Sequence, residues 1–463
     1  MSALDTAPAS PILAAPKTPE RRLGLFEMVR TVRDSSIATH PRDAYEEEFL
    51  NRSFLWAKAW IVNNPDAIKR VLLDNADNYV RTRLARRLLE PGIGQGLLTT
   101  EGETWRRHRR IMAPSFDPRS VASYTPMMTQ HTEALLARWD QMPDGTAVMA
   151  DQAMMRLTLD IIAQAMFSSD AADIAELVAT GAERYQTEVR PNLFDLLPLP
   201  PWVPRLKSMK HAERIFSDFD LKIERMIAER SGAAGGGDRK DLLGRLLAAR
   251  DEETGGGLSA KEIRDEIITI FMAGHETTSL ALTWTLYLLS QHPAVEARFH
   301  DELRDVLGGR TPRAEDVPKL RYARMILDEA LRLYPPAHTL SREAVAADDL
   351  SGHPIPAGAT VYIVPWVLHR HRKLWEHPDR FDPERFSPER AASRPKMAYI
   401  PFGAGPRICI GASFAITEAI LILATIAQKY RLHLKPGHPV EPRGLITLRP
   451  RNGMAMILER RGA

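Results

Sequence analysis

Apolar positions recur at helical spacing over most of the chain and alternate at strand spacing over little of it, so the pattern predicts a mainly α fold with a small β region. The longest pattern opens at Ser259-Ala260-Lys261-Glu262, a capping box in which each of Ser259 and Glu262 satisfies a backbone N–H of the other, and nothing stops it until Pro293. At 1.5 Å per residue this is a rod of about 45 Å, long enough to cross a domain. Other helical patterns cover Phe26 to Phe49 with a break before Pro41, Asn64-Pro65-Asp66 to Leu73, the run around Trp105, residues 127 to 190 including Met155 to Phe167, Leu320 to Tyr334, and Ala412 to Lys429. Strand character is confined to Phe54–Val62, Ile355–Trp366 and a hairpin at Leu445–Leu448.

The interruptions are as informative. Arg81 to Thr100 holds Pro91, Gly92, Gly94 and Gly96 and reads as a long loop. Pro191 to Pro204 has five prolines in fourteen residues, which excludes a regular helix; its apolar character suits either a lid over an entrance or a segment packed on the body. Ser231–Gly237 and Gly255–Gly257 read as connectors. The first 22 residues, rich in Ala, Pro and Ser and without the apolar core of a signal peptide, are expected to be a disordered tail before a single domain from 23 to 463. No run of about 18 apolar residues is apparent, so no transmembrane anchor is expected and the protein is placed in the cytoplasm as a monomer. A net charge of +3 implies neither nucleic acid nor an anionic membrane as partner.

Chemistry enters with the one cysteine among 463 residues, Cys409, which can form no disulfide within the chain. A lone cysteine is commonly a small buried hydrophobe, but this one lies in Pro401-Phe402-Gly403-Ala404-Gly405-Pro406-Arg407-Ile408-Cys409-Ile410-Gly411, a tight turn before a helix. There the helix N-terminus and Arg407 are expected to lower the thiol pKa and make it a metal ligand. The long helix carries Ala273-Gly274-His275-Glu276-Thr277-Thr278 at its centre. A glycine there costs about 1 kcal/mol against alanine and calls for a packing or functional reason, while a threonine can bend the helix by bonding back to a carbonyl. Trp105 and Arg109 share a helix face at i, i+4, as do Glu329 and Arg332 at i, i+3.

Phe402, Gly405, Arg407, Cys409 and Gly411 fill every fixed position of Phe-x-x-Gly-x-Arg-x-Cys-x-Gly, and with them the chain resembles the cytochrome P450 family from about residue 45 onward. The resemblance implies that family's fold, with the long central helix over a haem and the cysteine loop beneath it. Cys409 would be the axial thiolate of heme b, with Phe402 packed near it and Gly411 letting the backbone approach the porphyrin. Trp105, Arg109, Arg342 and Arg407 would anchor its propionates. Ala273 would belong to the oxygen-binding groove, where Glu276 and Thr277 deliver protons, and Glu329, Arg332 and Arg385 would form a structural cluster.

The implied function is that of a haem-thiolate monooxygenase that inserts one atom of dioxygen into an apolar small molecule by hydroxylation or epoxidation, with a fatty acid, alkane or terpenoid in view. Pocket candidates are Ile270, Ala273, Ala337 to Leu340 and Ile446. With the chain ending at Ala463, electrons are expected from a separate ferredoxin or flavodoxin with its reductase, docking near Arg106, Arg110, Arg370 and Arg372. The alternatives are a haem-binding sensor or carrier without turnover, marked by loss of Glu276-Thr277 or a closed pocket, and a haem-free helical scaffold.

Overall fold

The computed structural model describes residues 13–53, 58–168, 217–231 and 241–462, together with 177, 180–181 and 214–215. The helices that position the site are α1 (Arg83–Ile93), α2 (Gly102–Met112), α3 (Pro118–Asp140), α4 (Ala150–Phe167), α5 (Ala260–Gln291), α6 (Arg321–Leu333) and α7 (Ala412–Lys429).

Helix α5 is the axis. Its capping box forms, with Glu262 N donating to Ser259 Oγ at 3.3 Å and Ser259 N to Glu262 Oε2 at 2.8 Å. It ends at Gln291, because Pro293 begins the next helix and has no N–H with which to continue this one. Over its length Ile267, Phe271, Leu280, Leu282, Trp284 and Leu288 are buried, which is the behaviour of a core helix walled on all sides; each such side chain contributes about 1.5–3 kcal/mol. Helix α4 lies along it, and α6 and α7 pack against it. Among the described residues α7 is the one helix long and apolar enough by composition to cross a membrane, although Ser413, Thr417, Glu418 and Thr425 interrupt it and no run of 18 apolar residues occurs. Its residues Ile420 to Ala424 are nevertheless buried, and it packs on α3 and α5.

Strands β1 (Phe49–Asn51), β2 (Ala59–Val62), β3 (Tyr79–Val80), β4 (Leu340–Ala344) and β5 (Thr360–Ile363) form one sheet in the order β1-β2-β5-β4-β3. The β2–β5 pair is parallel and the rest antiparallel, with Arg342 opposite Val361 and Val80 opposite Glu343. Alternation along β4 buries Arg342 and Ala344 on one face. A hairpin of β6 (Pro442–Gly444) and β7 (Leu448–Pro450) closes over α5: Trp284 Nε1 donates to Leu448 O at 3.0 Å and Leu448 N to Pro336 O at 3.1 Å.

Beneath the sheet, Glu329 and Arg332 of α6 form a fully buried bidentate pair at 2.6 and 2.8 Å. Arg385 adds a bond to Glu329 at 3.3 Å, and the two guanidiniums donate to the carbonyls of His369, Pro378, Arg380, Glu376 and His377. One carboxylate shared by two arginines thereby ties down the 369–385 segment that leads to the cysteine turn.

Several expectations change. The Arg81–Thr100 loop contains helix α1: Thr82 Oγ1 accepts from Ala85 N at 3.2 Å, the following Arg, Leu, Ala and Glu residues favour helix, and Pro91 falls in the last turn before Gly94. The tail is not free from residue 13 on, since Leu13 is buried and Tyr334 Oη donates to Ala14 O at 2.9 Å. Between Phe26 and Phe49 the helix stops at Asp34 and two short 3-10 turns follow. Of the Phe54–Val62 strand the structure shows Ala59–Val62, and residues 54–57 lie outside the described residues, as do Pro191–Pro204 and 232–237.

Glu418 of α7 is buried against α5 with Oε1 unpartnered. Burial pushes its carboxyl up to about 8, a hydrogen bond with Thr278 only partly offsetting it. Unfolding returns that group to an ordinary pKa of about 4, so the folded state binds the extra proton between the two values and loses stability as pH rises through that window, levelling above it. Glu418→Gln should therefore leave the melting temperature unchanged at the acid end and raise it by at least about 3 °C at the alkaline end. A difference that does not vary with pH contradicts the assignment.

Candidate active site

The cysteine turn is built by two glycines in the left-handed region. Gly403 has φ +72°, and Gly405, at φ +71°, would place a Cβ 1.7 Å from Leu72 O, so no side chain fits there. Ile408 N donates to Gly405 O at 3.1 Å and Cys409 N to Phe402 O at 2.9 Å, which closes the turn before α7. Phe402 packs against the core, and no atom lies within 4 Å of where a Gly411 Cβ would be.

Cys409 is exposed by accessible surface, yet enough protein surrounds it that burial dominates its acidity. Both observations hold if the sulfur opens onto an enclosed space rather than the outer surface. Burial pushes the thiol pKa up, while the Gly411 N–H and Arg109 pull it down. The expectation that Arg407 activates the thiol is thus corrected. Arg407 is held by an ion pair with Glu101, a bond to Thr100 O at 3.2 Å and a stacked Trp105 ring at 4.2 Å. A metal ion bound to this sulfur would favour its thiolate form.

The sequence-predicted cations converge on this turn. Trp105 and Arg109 sit one turn apart on α2, Arg342 comes from β4, and Arg407 from the turn itself. The structure adds Arg81, which the sequence reading missed because a single arginine next to a loop has no motif. Its guanidinium is held down to about 9 and that of Arg342 to about 10, by burial first and then by neighbouring guanidiniums, Arg407 acting on both. All stay protonated at neutral pH. Glu101 is the acid facing them, accepting also from Arg81 N at 2.9 Å, and Arg81 Nε is buried without a partner. Three guanidiniums against one carboxylate leave two positive charges for a ligand to neutralise. A group with two carboxylates and one open metal coordination site fits that donor set. The described residues contain no cluster of three or more His, Cys, Asp or Glu side chains able to hold a bare ion.

On α5, Met272, Ala273, Gly274 and Thr277 are partly accessible while Phe271, His275, Glu276 and Thr278 are buried, so the helix presents an open face at this point. Thr277 Oγ1 donates to Ala273 O at 2.7 Å, and Thr158 and His275 side chains bond the carbonyls of His275 and Phe271 at 2.8 and 2.7 Å. Gly274 would meet only Ile162, at 3.6 Å, so packing does not demand a glycine. Glu276 is buried: its Oε1 takes Arg449 Nη2 at 2.6 Å, Arg449 Nε at 2.7 Å and the Thr447 hydroxyl. Ile270 is buried, whereas Ala337 and Ile446 are exposed on segments joined by His338 Nε2 donating to Leu445 O at 2.9 Å.

The cationic docking surface is smaller than expected. Arg370 is buried, 3.6 Å over the Trp366 ring. Arg110 pairs with Asp251 at 2.9 Å, and Arg106 and Arg372 pair with Asp77 and Glu46 at 2.7 and 2.6 Å.

The family model described as Cytochrome P450 matches residues 36–455. Cyclooctatin synthase of Streptomyces melanosporofaciens is 38% identical over 398 residues, covering 83% of each chain. Pentalenene oxygenase of Streptomyces avermitilis is 35% identical over 358 residues, 77% of this chain and 78% of that one. The crystal structure of the cytochrome P450DA heme domain superimposes with a TM-score of 0.82 at 28% identity, over 97% of this chain and 99% of its own. With a thiol-bearing turn, a cationic cluster and a central helix all matching that likeness, the chain belongs to the cytochrome P450 family: it is a haem-dependent monooxygenase whose cofactor is heme b.

Proposed function

We propose that the chain oxygenates an apolar small molecule, a terpenoid first, with Cys409 as the thiolate ligand of the haem iron. The observation that carries this reading is the grouping of Arg81, Arg342 and Arg407 with the cysteine turn, beside the accessible Cys409 sulfur on which Arg109 acts. Ile270, Ala273, Ala337, Leu340 and Ile446 supply apolar surface for the substrate, and relatives named for oxidising terpenoids support the class.

Arg81, Arg342 and Arg407 hold the propionates by charge-assisted hydrogen bonds, Trp105 bracing Arg407, and Arg109 adds positive charge beside the thiolate. When bound, heme b supplies dioxygen activation, and thiolate ligation favours O–O cleavage. The protein's own part is to exclude water and to deliver protons. Thr277 donates to Ala273 O at rest, so its hydroxyl accepts a proton from the Glu276 side and passes its own onward by turning off that carbonyl. Retention of Glu276 and Thr277 favours turnover over a sensor or carrier. Electrons come from a separate ferredoxin or flavodoxin with its reductase, approaching the cysteine side near Arg106.

Thr277→Ala should keep haem incorporation and electron uptake but lower product per cofactor oxidised by about tenfold, the lost reducing equivalents appearing as hydrogen peroxide. An unchanged product ratio in a well-folded variant would falsify the proton-delivery role. Arg81→Leu has two opposed effects. Losing one charge-assisted bond should speed haem loss to a scavenger protein by about tenfold or more, while relief of guanidinium repulsion should raise the melting temperature of the haem-free chain. Unchanged haem loss refutes the assignment of Arg81.

A further inference from the structure

We infer that Glu101 is a positioning residue for the haem: it fixes Arg407 to the start of α2, and its negative charge, set among the guanidiniums that face the propionates, lowers the reduction potential of the iron. This inference rests on the reading of Arg81, Arg342 and Arg407 as the propionate-holding groups.

Glu101 is the residue from which α2 departs, yet its side chain makes no cap bond to that helix. The chain turns there through Gly102, in the left-handed region at φ +58°. The carboxylate reaches two distant segments instead. Oε1 accepts from Arg81 N, just past β3, at 2.9 Å, and Oε2 accepts from Arg407 Nη2 in the cysteine turn. Arg407 Nη1 donates to Thr100 O at 3.2 Å, and the Trp105 ring, one turn along α2, is centred 4.2 Å from the guanidinium carbon. Thr100, Glu101 and Trp105, all at the start of α2, thus hold one guanidinium. Among the described residues each terminal nitrogen gives one of its two N–H groups to this hold, so the other two and the Nε–H remain for a ligand, in a plane the protein sets beforehand.

The charge of Glu101 matters because little else opposes the cluster. Burial and neighbouring guanidiniums hold Arg81 down to about 9 and Arg342 to about 10, and Glu101 acts against this on both. Arg407 is lowered as well, by burial first, with Glu101 and Asp77 opposing. Asp77 is 89% exposed and pairs with Arg106 at 2.7 Å, so water screens it. Glu103 is also exposed and pairs with Arg106 and Arg110. Glu101 is only 20% exposed, and its charge is screened less. Reduction adds one electron, supplied by the separate carrier, to the ferric iron. A fixed negative charge among the propionate-holding groups opposes that gain, while the bridge from Arg81 to Arg407 keeps the donors in place.

The test compares Glu101→Gln, Glu101→Asp, Arg81→Leu and the Arg81→Leu/Glu101→Gln double variant as substrate-free, haem-loaded proteins, by spectroscopic redox titration and by haem loss to a scavenger protein. Glu101→Gln should shift the ferric–ferrous equilibrium toward ferrous by about threefold or more, as for one partly screened unit charge. Glu101→Asp keeps the charge and should restore the unaltered equilibrium. Being one methylene shorter, it cannot span Arg81 N and Arg407 together, so it should speed haem loss by about threefold or more. If Glu101→Gln fails to fold, the double variant titrated against Arg81→Leu gives the same charge comparison. An Asp variant whose equilibrium shifts as far as that of the Gln variant overturns the role of the charge, and one that holds haem as firmly as the unaltered chain overturns the bridge. If Arg81→Leu speeds haem loss but both Glu101 variants match the unaltered protein, the inference is lost while the propionate reading stands. If Arg81→Leu also leaves haem loss unchanged, both fall.

Discussion

Arg81, Arg342 and Arg407 come together around Glu101, the one carboxylate among the described residues that bears on all three, and this unbalanced charge is the constraint from which the rest of the site follows. Guanidiniums do not neutralise by losing protons near pH 7, and an unpaired one in a low-dielectric interior is costly. A dianionic ligand would offset that cost. The elements that bring the three together, the end of β3, the middle of β4 and the cysteine turn, are the ones that would frame a flat cofactor between α5 and Cys409. Arg109 adds a fourth charge that acts on the sulfur itself. On the proposed assignment, binding and ligation would be one electrostatic problem shared by these residues.

Elsewhere the interior treats charge in two other ways. Glu329 is matched in full by Arg332 and Arg385, whose remaining donors all go to backbone carbonyls, so the cluster works as a tie rather than as a reactive group. A pair of this kind is worth little against an apolar replacement but is expensive to break on one side. Among the described residues Glu418 has no cation for a partner, and burial pushes its carboxyl up to about 8 instead. Glu276 lies between these cases. It is paired, but by an arginine that is itself partly exposed.

Features set by neighbours in sequence were legible from it. The capping box at Ser259, the proline stop at Pro293 and the glycine-rich turn around Cys409 each depend on a few adjacent residues, and the structure shows all three. Features that arise only when distant segments meet were not. Arg81 has no local pattern and gains its meaning from Arg342 and Arg407. Arg449 was unremarkable until the hairpin placed it on Glu276, and Arg370 was read as a surface charge because nothing nearby announced that Trp366 would cover it. In helix α1 the local signals conflict: Pro91, Gly92 and Gly94 read as a loop, while Thr82 and the helix formers after it favour the helix that forms. The thiol's acidity was misjudged for a related reason: a dipole and a nearby arginine are visible in sequence, and desolvation is not.

The most direct measurement is the absorption spectrum of the reduced, carbon-monoxide-saturated protein, taken for the unaltered chain and for Cys409→His. Ligation by the Cys409 thiolate predicts the red-shifted Soret band of a thiolate-bound haem in the first, and its replacement by the shorter-wavelength band of an imidazole-bound haem in the second. A thiolate-type band that survives the substitution, or one that never forms in the unaltered, haem-loaded protein, contradicts the account.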